Sequence, residues 1–380
     1  MTQSRVTVNV NLSSLLENFG EVFSGEAIWI RELLQNARRA GASRIRLLTD
    51  RFDLYYLRVD DDGCGIADFQ ALLTLGGSGW DPEVIERENP FGLGFYAAFY
   101  AAHSVEIRSR GHRLVLNTLQ ILRGDPVWPE PCSTPGGTSV ILHLKKPLAN
   151  LKEYDPKELC SFFEELVSGF PVPVYLNGKP LPRPCALAVW GGLRFDLPGG
   201  VALVELDPEI RFCEKGMTFL QGLRLGKWSH YHREWPSLYL CGMRVYLHLQ
   251  GASWKIRVPD RDALYESEEN RKRVETLHQD VKQAAARHIV EQGETERFFE
   301  CLLQWGCFEA VRDLPIPSSR WSKLGLPLHR PHDEAEEIDD ALIPLQPEEI
   351  PSLQNERRFL KGLSNLYADE ETLDHFFAAY

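Results

Sequence analysis

Glu32 and Asn36 stand four residues apart in the run Ile30-Arg31-Glu32-Leu33-Leu34-Gln35-Asn36-Ala37. On a helix that spacing sets a carboxylate and a carboxamide side by side on one face. A carboxylate can take a proton from water, and a neutral amide oxygen is a hard ligand suited to magnesium. Alone, the pair reads first as two polar neighbours on a helix surface.

Three further segments bear on it. In Asp61-Asp62-Gly63-Cys64-Gly65 a strand ends in an acid and two glycines, which suits a turn whose backbone comes close to a ligand. Asp61 can accept a hydrogen bond from an exocyclic amine, the group that separates adenine from guanine; the plain alternative is an acidic turn. Phe91-Gly92-Leu93-Gly94-Phe95 opens a helix and supplies small residues and backbone N–H groups of the kind that favour phosphate. Gly136-Gly137-Thr138-Ser139-Val140 begins a strand with a hydroxyl, Thr138, able to hydrogen-bond beside a base or beside Asp61.

The elements that must position these groups follow from periodicity. Apolar residues recur at near-helical spacing over residues 12–42, with a break at Ser24-Gly25 and a stop at Gly41. Strands are expected at 45–48 and 54–59, joined by a turn at Asp50-Arg51-Phe52-Asp53. After the acidic turn come a helical stretch, the glycine-rich segment Gly76-Gly77-Ser78-Gly79, a helix at 96–102, and strands at 104–108, 114–119 and 138–144. This alternation predicts a two-layer α+β unit over residues 1–150. A second, smaller α/β unit is expected over 151–291: a helix at 156–168, a hairpin turning at Asn177-Gly178, strands at 202–206 and 237–249, and a long helix at 267–291. A helical extension (292–332), an acidic proline-dotted linker (333–351) and a last helical segment (352–380) complete the chain.

Taken together and in this order, the four segments resemble the nucleotide site of the GHKL ATPases, the superfamily of HtpG-type chaperones, MutL, the gyrase ATPase subunit and sensor histidine kinases. The resemblance covers roughly residues 10–145, and Val59-Asp60-Asp61-Asp62-Gly63-Cys64-Gly65-Ile66 is especially close to the MutL form. It implies a Bergerat-type α/β sandwich binding ATP and Mg²⁺. Glu32 would be the general base, Asn36 the metal ligand and Asp61 the adenine-reading carboxylate. Gly63, Gly65 and Thr138 would belong to the base pocket, and Ser78, Gly92, Leu93, Gly94 and Phe95 to the phosphate-facing lid. The segment Ile256-Arg257-Val258-Pro259-Asp260-Arg261-Asp262 is similar to the HtpG-type middle-domain stretch whose arginine reaches back to ATP. This makes Arg261 the second catalytic candidate, with Arg257 behind it and a surface ion pair as the alternative. Two positions depart from the family pattern: Arg39 stands where many members have an acid, and Ser78-Gly79-Trp80 lacks a lid lysine. No GxxxxGK[ST] run offers the rival P-loop solution.

Composition narrows the class. A hydrophobic fraction of 43% and a charged fraction of 25% are those of a folded protein, and no apolar run reaches the length of a membrane span. With no basic-then-apolar leader, a cytoplasmic location is expected. A net charge of −12 argues against a chain-wide nucleic-acid footprint, and the eight cysteines form no CxxC pair and read as reduced, mostly buried thiols. The resemblance suggests a chaperone-like ATP-driven switch that dimerises through its first unit and works with a protein partner. A MutL-like DNA-associated ATPase and a non-hydrolysing nucleotide-gated binding module are the alternatives, and a histidine kinase fits less well because Glu32 is present.

Overall fold

The computed structural model describes residues 27–77, 79–88, 92, 94–134, 136–210, 216–225, 238–251, 253–256, 263–265 and 267–311. The first half of the expected 12–42 helix, the linker and the last helical segment lie outside the described residues.

Helix α1 (Ile28–Arg39) forms because Ile30, Leu33, Leu34 and Ala37 line one face, and all four are buried. Its end follows the sequence expectation. Gly41 adopts φ +73°, Gly41 N donates to Arg38 O at 3.0 Å and Ala42 N to Ala37 O at 3.1 Å, a Schellman stop that only a left-handed residue permits. The chain then enters β1 (Ile45–Asp50) and β2 (Asp53–Asp61), an antiparallel pair in which Ile45 faces Asp61. The short helices α2 (Phe69–Leu72) and α3 (Pro82–Glu88) lead to α4 (Tyr96–Ala101), which packs on α1.

Strands β3 (Ala102–Ser109), β4 (His112–Asn117), β5 (Glu130–Pro131) and β6 (Thr138–Leu144) extend the sheet. The predicted strand at 114–119 stops at Asn117, whose side chain accepts from Leu119 N at 3.0 Å and caps helix α5 (Thr118–Arg123). Chain beyond residue 150 also joins this sheet. Helix α6 (Pro156–Val167) crosses over, β7 (Val174–Leu176) pairs parallel with β1, and β8 (Lys179–Pro180) pairs with β7 through the Asn177-Gly178 turn. The eight strands run β5-β4-β3-β6-β2-β1-β7-β8, and one apolar core reaches from Ile28 through Leu181 to Leu223.

The second sheet comprises β9 (Leu193–Leu197), β10 (Gly200–Leu206), β11 (Met217–Leu220), β12 (Leu223–Leu225), β13 (Tyr239–Leu240) and β14 (Met243–Leu249). Its order is β12-β11-β14-β10-β9, with β13 on β14; the strand expected at 237–249 is therefore a hairpin turning at Cys241-Gly242. Helix α7 (Glu268–Glu291) covers it, starting on a Ser267 cap and burying Val274, Leu277, Val281 and Ile289. Within the expected helical extension, helix α8 (Phe299–Gln304) is short and stops at Trp305-Gly306, where Gly306 adopts φ +74°. The described chain is thus α+β with two mixed sheets, and no described helix is long and apolar enough to cross a membrane.

Candidate functional site

The turn spacing of α1 carries Glu32 and Asn36 to the same face, toward the segment that precedes α4. Glu32 is only 4% exposed. Gly94 packs so closely against it that a Cβ there would run into the Glu32 carboxylate. The two glycine segments meet as well: Gly76 N donates to Gly92 O at 3.3 Å, and Gly92, at φ +66°, leaves no space for a side chain against Gly77. A cavity of about 430 Å³ opens between them, and Glu32, Asn36, Gly65, Gly92, Gly94 and Phe95 all line it. Residues from segments 60 positions apart in sequence thus surround one space of the size that takes a small organic ligand.

Asp61, Gly63 and Thr138 stand beside this cavity and are not part of its lining. Asp61 and Thr138 are cross-strand partners at the ends of β2 and β6. Asp61 Oδ1 accepts from Gly63 N at 2.8 Å, Gly63 sits tightly on Ala40, and a Cβ at Gly137 would strike the Asp61 backbone. Ser109, fully buried at the end of β3, closes the knot: its Oγ accepts from Ile66 N at 2.8 Å, donates to Gly137 O at 2.9 Å and lies 3.3 Å from Thr138 Oγ1. Burial raises the Asp61 carboxyl above its ordinary value, and the Gly63 and Thr138 backbone N–H groups pull it part of the way back. Ser78, Leu93, Arg257 and Arg261 lie outside the described residues.

Arg39, where the family pattern often has an acid, ion-pairs with Glu88 at 3.0 Å and donates from Nη1 to Asn36 Oδ1 at 3.3 Å. Arg38 ion-pairs with the same Glu88 oxygen. Burial works to raise the Glu88 carboxyl, but the two guanidiniums overcome it and hold it below the usual range. The last turn of α1 is thereby clamped to the end of α3. Among the described residues no group of three or more His, Cys, Asp or Glu is placed to hold a metal ion. The side chains that offer oxygens on the cavity wall are Glu32, Asn36, Asp68 and Asp81.

On the other side of Glu32 lies the second sheet. Arg31 Nη1 donates to Arg224 O at 2.6 Å and Gln35 Nε2 to Gln221 O at 3.2 Å, so the β11–β12 hairpin is bonded to α1 on both sides of the glutamate. A small void of about 10 Å³ remains there, lined by Arg31, Glu32, Gln35 and Gln221 among others, about the room of a single water.

Arg110, Glu88, Gln35 and Gln221 were not legible as site residues. Each acquires its place by long-range approach; Gln35 lies within the Glu32–Asn36 run, but its bond to Gln221 is not readable from it. The seven described cysteines are free; Cys185, Cys301 and Cys307 are buried, whereas Cys64 is exposed on the cavity wall. No protein-family model matches the chain, and neither does any curated protein.

Proposed function

We propose that this chain is a magnesium-dependent ATPase of the GHKL type: a two-layer Bergerat-type sandwich followed by a smaller transducer-like unit. One observation carries the reading. A buried carboxylate, Glu32, shares a cavity with Asn36 one helical turn away and with the close-packed glycines 92 and 94.

In this reading the adenine amine donates to Asp61, whose position at a strand end is fixed by Gly63 and Thr138. The phosphates lie along the backbone of residues 92–95, and the missing Cβ of Gly94 leaves Glu32 facing the terminal phosphate. Glu32 takes a proton from a water aligned for attack and holds it while the bond to the leaving diphosphate breaks. The donor set fits magnesium, which favours a few protein oxygens plus substrate phosphates; Asn36 would hold it, and it supplies neutralisation of phosphate charge. Arg261, with Arg257 second, is proposed as the cation that stabilises the transferred phosphoryl group, and Ser78 and Leu93 belong to the lid. Nucleotide closes the lid and favours an N-terminal homodimer, so that turnover drives a chaperone-like conformational cycle on a protein partner.

The test is magnesium-dependent ATP turnover by wild type and Glu32→Ala. Wild type is expected to release phosphate, and the variant to lose about 100-fold or more while still binding ATP. Absence of turnover in a wild type that binds ATP favours a nucleotide-gated binding module, and full activity in the variant removes Glu32 as the base. Salt-sensitive DNA binding would favour a MutL-like role.

A further inference from the structure

Among the described residues, three hairpins turn on two residues with both φ values positive: Arg110-Gly111 (+46°, +78°), Asn177-Gly178 (+48°, +81°) and Gln221-Gly222 (+52°, +83°). This mirror-image turn favours Asn at its first position, because a short amide tolerates the left-handed region. Asn177 also serves its own neighbourhood: its Oδ1 accepts from Thr49 N at 2.9 Å and its Nδ2 donates to Thr49 Oγ1 at 2.8 Å. Arginine gives a turn no such help. Arg110 therefore holds an unfavourable backbone conformation for a side chain that is used elsewhere.

That side chain crosses from the β3–β4 turn to the Asp61–Gly65 turn. Arg110 Nε donates to Cys64 O at 2.9 Å, and the space a Cβ would fill at Gly65 is taken by Ser109 Oγ and Arg110 Cγ. Ser109, the residue before, bonds Ile66 N and Gly137 O, so the hairpin end and the acidic turn form one unit. The Nε bond ties the guanidinium to the Cys64 carbonyl, and Arg110 lines the cavity. Arg110 thus sits on the Asp61–Gly65 turn, which supplies Cys64 and Gly65 to the cavity wall.

Resting on the ATP reading, we infer that Arg110 is a nucleotide-binding residue that lays its guanidinium plane on the purine ring. A planar, weakly hydrated cation stacks well on an aromatic base, and a lysine ammonium does not replace it. The contact recognises the base half of the ligand and is indifferent to the number of phosphates.

The experiment compares calorimetric titrations of the full chain with ATP, ADP and AMP for wild type, Arg110→Asn and Arg110→Lys. Asn suits the turn, so a thermal melt of Arg110→Asn is expected to match or exceed wild type, which separates binding from folding. Affinity in that variant is expected to fall about tenfold, by the same factor for all three nucleotides, and Lys is expected to restore little of it. Unchanged affinity overturns the inference. So does a loss that grows from AMP to ATP, which marks a phosphate contact, or full rescue by Lys. Failure of the underlying reading looks different: wild type itself then gives flat titrations with all three nucleotides.

Discussion

At the scale of single residues, Asp61 is held between opposing demands. Its carboxyl is raised by burial, and two backbone N–H groups offset only part of that. Between the ordinary value of 3.8 and the raised folded value, the folded protein keeps a proton that the unfolded chain has released. Stability therefore falls as pH rises through that window, and at neutral pH the ionised group opposes folding. Removing the charge while keeping the shape tests this. Asp61→Asn is expected to melt at or above the wild-type temperature at pH 7, with its advantage vanishing in acid. Nucleotide binding should move the other way. An amide exchanges one acceptor oxygen for a donor, so it cannot serve Gly63, Thr138 and an adenine amine together, and an unmatched donor in the pocket costs about 1–3 kcal/mol. Affinity for ATP should drop tenfold or more by calorimetry. A variant that binds ATP as wild type does would end the adenine-reading role.

The elements around the site are tied by few groups, and Glu88 is foremost. It ends α3, the helix that leads into the Gly92–Gly94 segment, and grips Arg38 and Arg39 in the last turn of α1. Glu88 and Arg39 are almost wholly buried, so truncating the acid breaks a buried ion pair and should cost about 3 kcal/mol in urea unfolding of Glu88→Ala at pH 7. The Glu88 carboxyl is depressed in the folded protein. Its contribution is present above the ordinary value of 4.5 and is lost as pH falls through the folded value, so wild type and variant should converge in acid. A gap that persists unchanged there would refute the ion-pair origin. Sequence gave some elements directly and hid others, for physical reasons. The β1–β2 pair, the Asn177-Gly178 turn and α7 announce themselves through alternation, a favoured turn pair and a long apolar period with a cap. β11 and β12 do not: they are only four and three residues long, too short for a period to show, and Gln221-Gly222 is no favoured turn pair. Glu32, Asn36, Gly65 and the 92–94 glycines were readable because their chemistry is local, whereas Glu88 and Arg110 matter only once distant segments meet.

At the scale of the whole molecule, the two sheets share one problem, which is how to hold α1. The first sheet supports its apolar face, and its last strands come from chain that follows residue 150, through the parallel pairing of β7 with β1. The second sheet holds the polar flank: Arg31 and Gln35, one turn apart, bond to carbonyls of Arg224 in β12 and Gln221 in the β11–β12 turn. Gly222 fits there because a side chain would strike Pro171 and Gly169, so the hairpin is wedged between α1 and the connection after α6. Glu32 lies between Arg31 and Gln35 on the helix, with the larger cavity on one side and the small void on the other. On the proposed ATPase reading, these two bonds hold the helix turn that carries Glu32, and a displacement near 1 Å at the base is worth about 100-fold in rate. Arg31 and Gln35 do not line the ligand cavity. Arg31→Ala combined with Gln35→Ala is accordingly expected to lower kcat tenfold or more while the Kd for ADP stays within about twofold, and to speed amide exchange along α1. Equal losses in kcat and in ADP affinity would mean that the helix itself has unravelled. Unchanged kcat would mean that the second sheet holds α1 without positioning Glu32.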